Sequence, residues 1–167
     1  MAAIIRIADD KDFKTVKHIT QTAIISVYPK YYPEGAVKFF CNHHSDDRIM
    51  DDIKNKKVFL LEVEDVPIGT VTVSDNEINR LFVLPESQRK GYGKQLMDFA
   101  EKEISKVSDR IVLDASLPAK RIYIKRGYQA IEYKMIETDS VSDVIHPLTQ
   151  GFFGRDFINN AKRLLVE

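Results

Sequence analysis

The chain has a single cysteine, Cys41, and no excess of either charge, since 25 lysines and arginines balance 25 aspartates and glutamates. One thiol excludes an internal disulfide framework and suits a reducing compartment. A neutral balance removes the global attraction that gathers a protein onto nucleic acid or an acidic membrane, so neither partner is expected. No apolar run is long enough to span a bilayer. Arg6 and then Asp9-Asp10-Lys11 interrupt the N-terminal apolar residues, so no secretion-signal core is read there. Internal repeats and low-complexity segments are also lacking. These absences predict a soluble, cytoplasmic protein. At 167 residues and 44% hydrophobic, the chain can bury one good core and is too short for two ordinary domains.

Hydrophobic spacing lays out the elements. Residues 3–8 read as a first strand. Phe13, Val16, Thr20, Ala23, Ile24 and Val27 recur at helical spacing and stop near Pro29. An aromatic loop containing Tyr28, Tyr31 and Tyr32 follows. A second helical region over 35–53 breaks near Ser45, a residue type that caps the part after it. Residues 58–64 and 68–74 read as a hairpin joined at Asp65-Val66-Pro67. Residues 77–84 form a strand whose later half is apolar on both faces, the pattern of a central position. Leu96, Ala100, Ile104 and Val107 make the inner stripe of the next helix. A strand over 110–114 precedes a helix with Pro118 in its first turn and Gly127 just past its end. Past Tyr128 a strand runs to about Thr138, with 141–145 as its pairing partner. In the tail, Phe157, Ile158, Ala161, Leu164 and Leu165 fit a short amphipathic helix that covers the sheet or forms a homodimer seam.

The most informative run is Gln88-Arg89-Lys90-Gly91-Tyr92-Gly93-Lys94, between the apolar stretch 81–84 with Pro85 and an amphipathic helix. The first turn of a helix has unpaired N–H groups and the positive end of the helix dipole. Gly91 and Gly93 carry no side chain to hold the backbone away from an anion. Arg89, Lys90 and Lys94 add formal positive charge, so the run reads as the seat of a diphosphate. It is not a dinucleotide fingerprint, because the residue three after Gly93 is Leu96. It is not a P-loop, because Lys94 precedes Gln95. The spacing Q/R-x-x-G-x-G after a strand and a proline resembles the acyl-coenzyme A signature of the GCN5-related N-acetyltransferase family. A second family pattern, N-x-x-A-x-x-F-Y-x-x-x-G-F, is met downstream at Ala119, Tyr123 and Gly127, and conservatively at Ile122 and Tyr128. It departs at Ser116.

The resemblance implies an α/β (α+β) fold, a mixed central β-sheet flanked by helices, here with an extra C-terminal helical tail. It implies a single domain over 1–167, with a core of 3–138 and an extension of 139–167. The implied reaction moves an acetyl group from acetyl-CoA to a primary amine by direct transfer in a ternary complex, with no metal. An alkylammonium (pKa ~10.4) must first lose a proton, at a cost of about 4.6 kcal/mol at pH 7. The site therefore needs a general base or an acceptor of low pKa.

By the same resemblance, Leu81, Phe82 and Val83 offer backbone groups to the pantetheine amides. Gln88, Arg89, Lys90, Gly91, Tyr92, Gly93 and Lys94 hold the pyrophosphate. Ser116 stands where the family carries a pantetheine-contacting asparagine. A backbone N–H near Phe82 or Val83 would serve the oxyanion, and Tyr123 aligns with the family's general-acid tyrosine. Glu77 is the candidate base, with Asp75, Asn79, His43 and His44 as alternatives. Tyr31, Tyr32 and His43 fall in the region that shapes acceptor pockets, and Phe152 and Phe153 offer a further wall. Cys41, His43 and His44 lack the second distant ligand pair that a metal site needs. The expected acceptor is a small-molecule amine, with a protein amine as the alternative. The reading from a different class is a non-catalytic acyl-CoA sensor or interaction module on the same fold, which the presence of Tyr123 argues against.

Overall fold

The apolar segments pair into one seven-stranded sheet, ordered β1-β2-β3-β4-β5-β7-β6, in a computed structural model that describes residues 2–136 and 148–156. β1 (Ala3–Ile7), β2 (Val58–Val63), β3 (Val66–Ser74) and β4 (Glu77–Val83) form its antiparallel half. β5 (Arg110–Ala115) runs parallel to β4. β7 (Leu148–Asp156) lies antiparallel between β5 and β6 (Gln129–Ile136). The sheet is mixed, as expected.

Its two faces carry separate cores. Leu60 and Leu61, adjacent on β2, point to opposite sides as the pleat requires. Leu60 packs with Val16 and Ile19 of α1 (Phe13–Val27) and Ile49 and Ile53 of α3 (Asp46–Lys54). Leu61 packs with Leu96, Met97, Ala100 and Ile104 of α4 (Tyr92–Ser105) and Tyr123 of α5 (Lys120–Lys125). α2 (Glu34–His43) adds a third, aromatic cluster of Tyr28, Tyr32 and Phe40 beside Ile24. The break between α2 and α3 falls at Ser45, whose side chain accepts from the Arg48 N–H at 3.4 Å. Among the described residues no helix is long and apolar enough to cross a membrane.

Two local expectations are corrected. The β2–β3 turn is Glu64-Asp65, with both residues left-handed (φ 51 and 62), while Val66 and Pro67 already belong to β3. Two left-handed residues match the right-handed twist of the strands they join, and Pro67 sits at a bulge opposite Glu62. Val107 lies past the end of α4 and is 76% exposed, so the inner stripe is Leu96, Met97, Ala100 and Ile104. Residues 151–154, which precede the segment expected as the tail helix, belong to β7, the partner of β6. A Cβ on Gly154 would come within 2.7 Å of Ile131 Cδ1, so this glycine permits close approach. The pairing expected for 141–145 and the helix expected for 157–165 lie outside the described residues.

Glu101 joins α4 to the end of α5. It is nearly buried and accepts from Arg126 Nε at 3.1 Å, Arg126 Nη2 at 2.8 Å and the Tyr128 hydroxyl at 3.0 Å. Arg126 also reaches the more exposed Asp98 at 2.7 Å. Glu101→Ala removes the more buried of these two carboxylates and should lower the unfolding free energy by about 3 kcal/mol. The expected readout is a lower urea midpoint at an unchanged m-value; an unmoved midpoint would mean that the clamp contributes nothing.

Candidate active site

β4 and β5 are paired only at Glu77 with Val112 and Ile78 with Leu113. Beyond Ile78 they part, and the cause lies in β4. Its register to β3 slips between the pairs Thr72–Asn79 and Thr70–Phe82, so Arg80 and Leu81 together oppose Val71. Arg80 takes a left-handed backbone conformation, φ 46. An extra residue bends a strand and raises its twist, which turns the rest of β4 away from β5.

The gap is a cleft. Asn79, Arg80, Leu81 and Phe82 line its β4 side, and Asp114, Ser116 and Tyr123 line the opposite side. Tyr28, Phe40, His43 and His44 close it from the α1–α2 layer. The backbone of β4 is available there. The Leu84 N–H donates to Ile68 O on β3 at 2.9 Å. Amide direction alternates along a strand, so the Val83 N–H faces the parted side and the Phe82 N–H faces β3. Of the two candidate oxyanion donors, Val83 is the one so directed. Its carbonyl accepts from Gln88 Nε2 at 2.9 Å, so the Gln88 side chain ties the glycine-rich loop to the strand end.

That loop turns through left-handed conformations at Arg89 (φ 61) and Gly91 (φ 87), and Gly91 is the N-cap of α4. A Cβ at Gly91 or Gly93 would meet nothing within 4 Å, so open space lies over the helix start. Arg89 and Lys90 are exposed beside it, and Tyr92 packs against the α4-side core. Lys94 pairs with Asp98 at 2.7 Å.

Tyr123 is 8% exposed and packs edge-on against Tyr128, with ring centroids 5.8 Å apart. Burial pushes its phenol up to about 12, so the hydroxyl is a donor at any working pH. Ser116 hydrogen-bonds the Tyr28 hydroxyl, and burial drives that phenol up as well. The Tyr32 hydroxyl accepts from the Leu117 N–H at 2.7 Å while its ring packs on Phe40 at 4.9 Å. Tyr28 and Tyr32 thus fasten the α1–α2 connection to the chain after β5.

Several expected site residues fall elsewhere. Tyr32 is a tie behind the cleft and Tyr31 is 51% exposed outside it, so His43 alone of that trio lines the cleft. Glu77 stands where β4 is still paired, opposite Val112 and Ser74, and is not among the lining residues. Asp75 is in the hairpin turn, with φ 52. Phe152 and Phe153 stand in β7 opposite Asp114 and Leu113. The residues that sequence reasoning missed are Phe40, Arg80 and Asp114. Arg80 and Asp114 did leave a signal, since each is a charge set among the apolar residues of its strand.

The histidines differ in character. His44 is pushed down to about 3 by burial, then by the charges of Arg80, His43 and Arg48. His43 is lowered by partial burial and by Arg48, whose Nη1 lies 3.2 Å from Nδ1, while Asp114 acts in the opposite sense. Both rings are therefore neutral at pH 7. Among the described residues no group of three histidine, cysteine or acidic side chains is arranged to hold a metal.

A parallel pair that parts over a glycine-rich helix start, facing a tyrosine on the following helix, is the architecture of an acyl-transfer fold. The acetyltransferase (GNAT) domain family matches residues 27–143, and the chain belongs to that family. The uncharacterised N-acetyltransferase YafP of Escherichia coli is 23% identical over 126 residues, covering 75% of this chain and 81% of that protein. A GCN5-related N-acetyltransferase structure from Rhodopseudomonas palustris superposes with a TM-score of 0.81 at 18% identity, over 93% of this chain and 96% of the other. The PaiA N-acetyltransferase of Thermoplasma acidophilum, solved with coenzyme A, gives 0.67 at 19% identity over 93% and 99%. YncA of Salmonella typhimurium, solved with acetyl-CoA, gives 0.69 at 15% identity over 94% and 95%. At these identities the solved structures share the fold.

The depressed His44 makes an acid-stability prediction. Its ring titrates near its ordinary 6.5 when unfolded and near 3 when folded, so as pH falls the unfolded chain takes up the proton first. The linked stability is complete above pH ~6.5 and is lost progressively as pH falls towards ~3. Between pH 7 and 5 the wild type should lose roughly 1–2 kcal/mol by this route, measured by urea unfolding. His44→Gln should cut that loss by at least half, and an unchanged loss would mean that His44 protonates freely in the folded state.

Proposed function

We propose that the protein transfers the acetyl group of acetyl-CoA to a primary amine, by direct attack within a ternary complex in the cleft where β4 and β5 part. The observation that carries this reading is that parting itself, with the glycine-rich start of α4 at one end and Tyr123 inside. Acetyl-CoA supplies an activated thioester carbon. The open space over Gly91 and Gly93, flanked by Arg89, Lys90 and Lys94, fits a diphosphate. The backbone edge that β4 turns towards the cleft at Leu81 and at the Val83 N–H fits the pantetheine amides, as an added strand would. PaiA and YncA, solved with coenzyme A and acetyl-CoA, support the same assignment. Ser116 contributes by holding Tyr28 in the cleft wall.

Each remaining step falls to a residue of this chain. The Val83 N–H donates to the developing oxyanion. Tyr123 donates a hydrogen bond to the departing sulfur. Full proton transfer from a phenol near 12 to a thiolate (~8.5) is uphill by about 5 kcal/mol, so the bond shifts without complete transfer. Asp114 takes the ammonium proton through a bridging water. His44 is too weak a base, and Arg48 faces the ring nitrogens of His43. The aromatic wall of Tyr28 and Phe40 supports a small-molecule acceptor, as does the neutral charge balance. The single cysteine supports a cytoplasmic setting.

Calorimetric titration should give a micromolar Kd for acetyl-CoA. Gly91→Glu should abolish binding, because it adds a carboxylate to the phosphate space at a left-handed position. Tyr123→Phe should keep that Kd within about threefold and lower kcat about 100-fold across an amine panel. Absence of wild-type binding sinks the proposal, and binding without turnover of any amine leaves an acyl-CoA sensor in its place.

A further inference from the structure

Arg80 is not accounted for by acetyl transfer. Its side chain is 4% exposed, in the middle of a central strand where an aliphatic residue would pack without penalty. Its left-handed φ of 46 adds backbone strain, a cost that persists where a site demands it. A guanidinium has five N–H donors. Nη2 donates to Asp52 Oδ2 at 2.8 Å and Nη1 to Thr72 Oγ1 at 3.0 Å. Nε is buried and has no partner among the described residues. A buried guanidinium with an unmet donor is unfavourable until an acceptor completes it.

Its surroundings indicate which acceptor. Arg80 lines the cleft from β4, and its charge is felt at both His43 and His44. Its carboxylate partner Asp52 belongs to α3, is 23% exposed and does not line the cleft. Across the gap, Asp114 lines the β5 side. One wall is therefore positive and the other negative, with Tyr28 and Phe40 alongside. A plain alkylamine would leave Arg80 unmet and be repelled by it, and a polyamine more so. A zwitterion matches both walls, its carboxylate towards Arg80 and its ammonium towards Asp114, and planar carboxylate recognition is what a guanidinium does best.

We infer that the acceptor is an amino acid, with Arg80 in the bulge of β4 receiving its carboxylate and Asp114 on β5 receiving the amino group that is acetylated. This deepens the transfer reading and rests on it for the chemistry, but not for the binding.

The test compares the twenty amino acids with their own carboxamides. Each is titrated calorimetrically into protein saturated with coenzyme A, and assayed for turnover with acetyl-CoA. At least one amino acid should bind and turn over about 30-fold or more better than its amide, the loss expected for one charge-assisted hydrogen-bonded pair. Arg80→Met should level acid and amide to within about threefold while its acetyl-CoA Kd stays that of the wild type. If that variant does not fold, the wild-type comparison decides alone. Amides or simple alkylamines used as well as amino acids would overturn the inference while leaving acetyl transfer intact, and so would binding of no amino acid. Failure of acetyl transfer alongside an Arg80-dependent preference for the acids would end the transfer reading and uphold this one.

Discussion

One inserted residue in β4 governs the site. Parallel strands normally consume their backbone donors and acceptors on each other along their full length. Here Arg80 and Leu81 share a single position opposite Val71, and the pairing with β5 ends at Ile78. The amide of Val83 is thereby left facing an opening. The same bulge places Arg80 among the residues that line the cleft. The cleft opens where the β4–β5 pairing ends.

An opened sheet has to be held open, and two sets of polar contacts do this from opposite faces. On the α4 side, Glu101 gathers Arg126 and Tyr128, fixing the short helix that carries Tyr123. On the other side, Tyr28 reaches Ser116 and Tyr32 reaches the Leu117 amide, pinning the aromatic wall to the far lip. The Tyr32 tie falls at the end of an element, where the Leu117 N–H lacks a ladder partner and a side chain satisfies it. Tyrosine suits the task because its ring fills apolar space while its hydroxyl spans to a polar group.

What the sequence made legible was local. The glycine turn, the Pro118-to-Gly127 helix and the Ser45 break each depend on neighbours a few residues away, and each forms as read. The acceptor side was less legible because it depends on register. Glu77 looked like a cleft carboxylate by its distance from the motif, yet the strand has not opened at that point. Arg80 and Asp114 drew no reading at all, since a bulge and a neighbour from a distant segment are invisible to spacing rules. Tyr31 and Tyr32 are adjacent in the chain, and only folding shows that one is outside while the other supports the wall.

The cores on the two faces of the sheet share no buried residue. Phe82 packs against the acceptor-side clusters, while its neighbours Leu81 and Val83 belong to the opposite core. Because no buried side chain bridges the two, a substitution that repacks α1 and α3 acts on one core and one that repacks α4 acts on the other, so the two faces can vary independently with the sheet as the boundary between them.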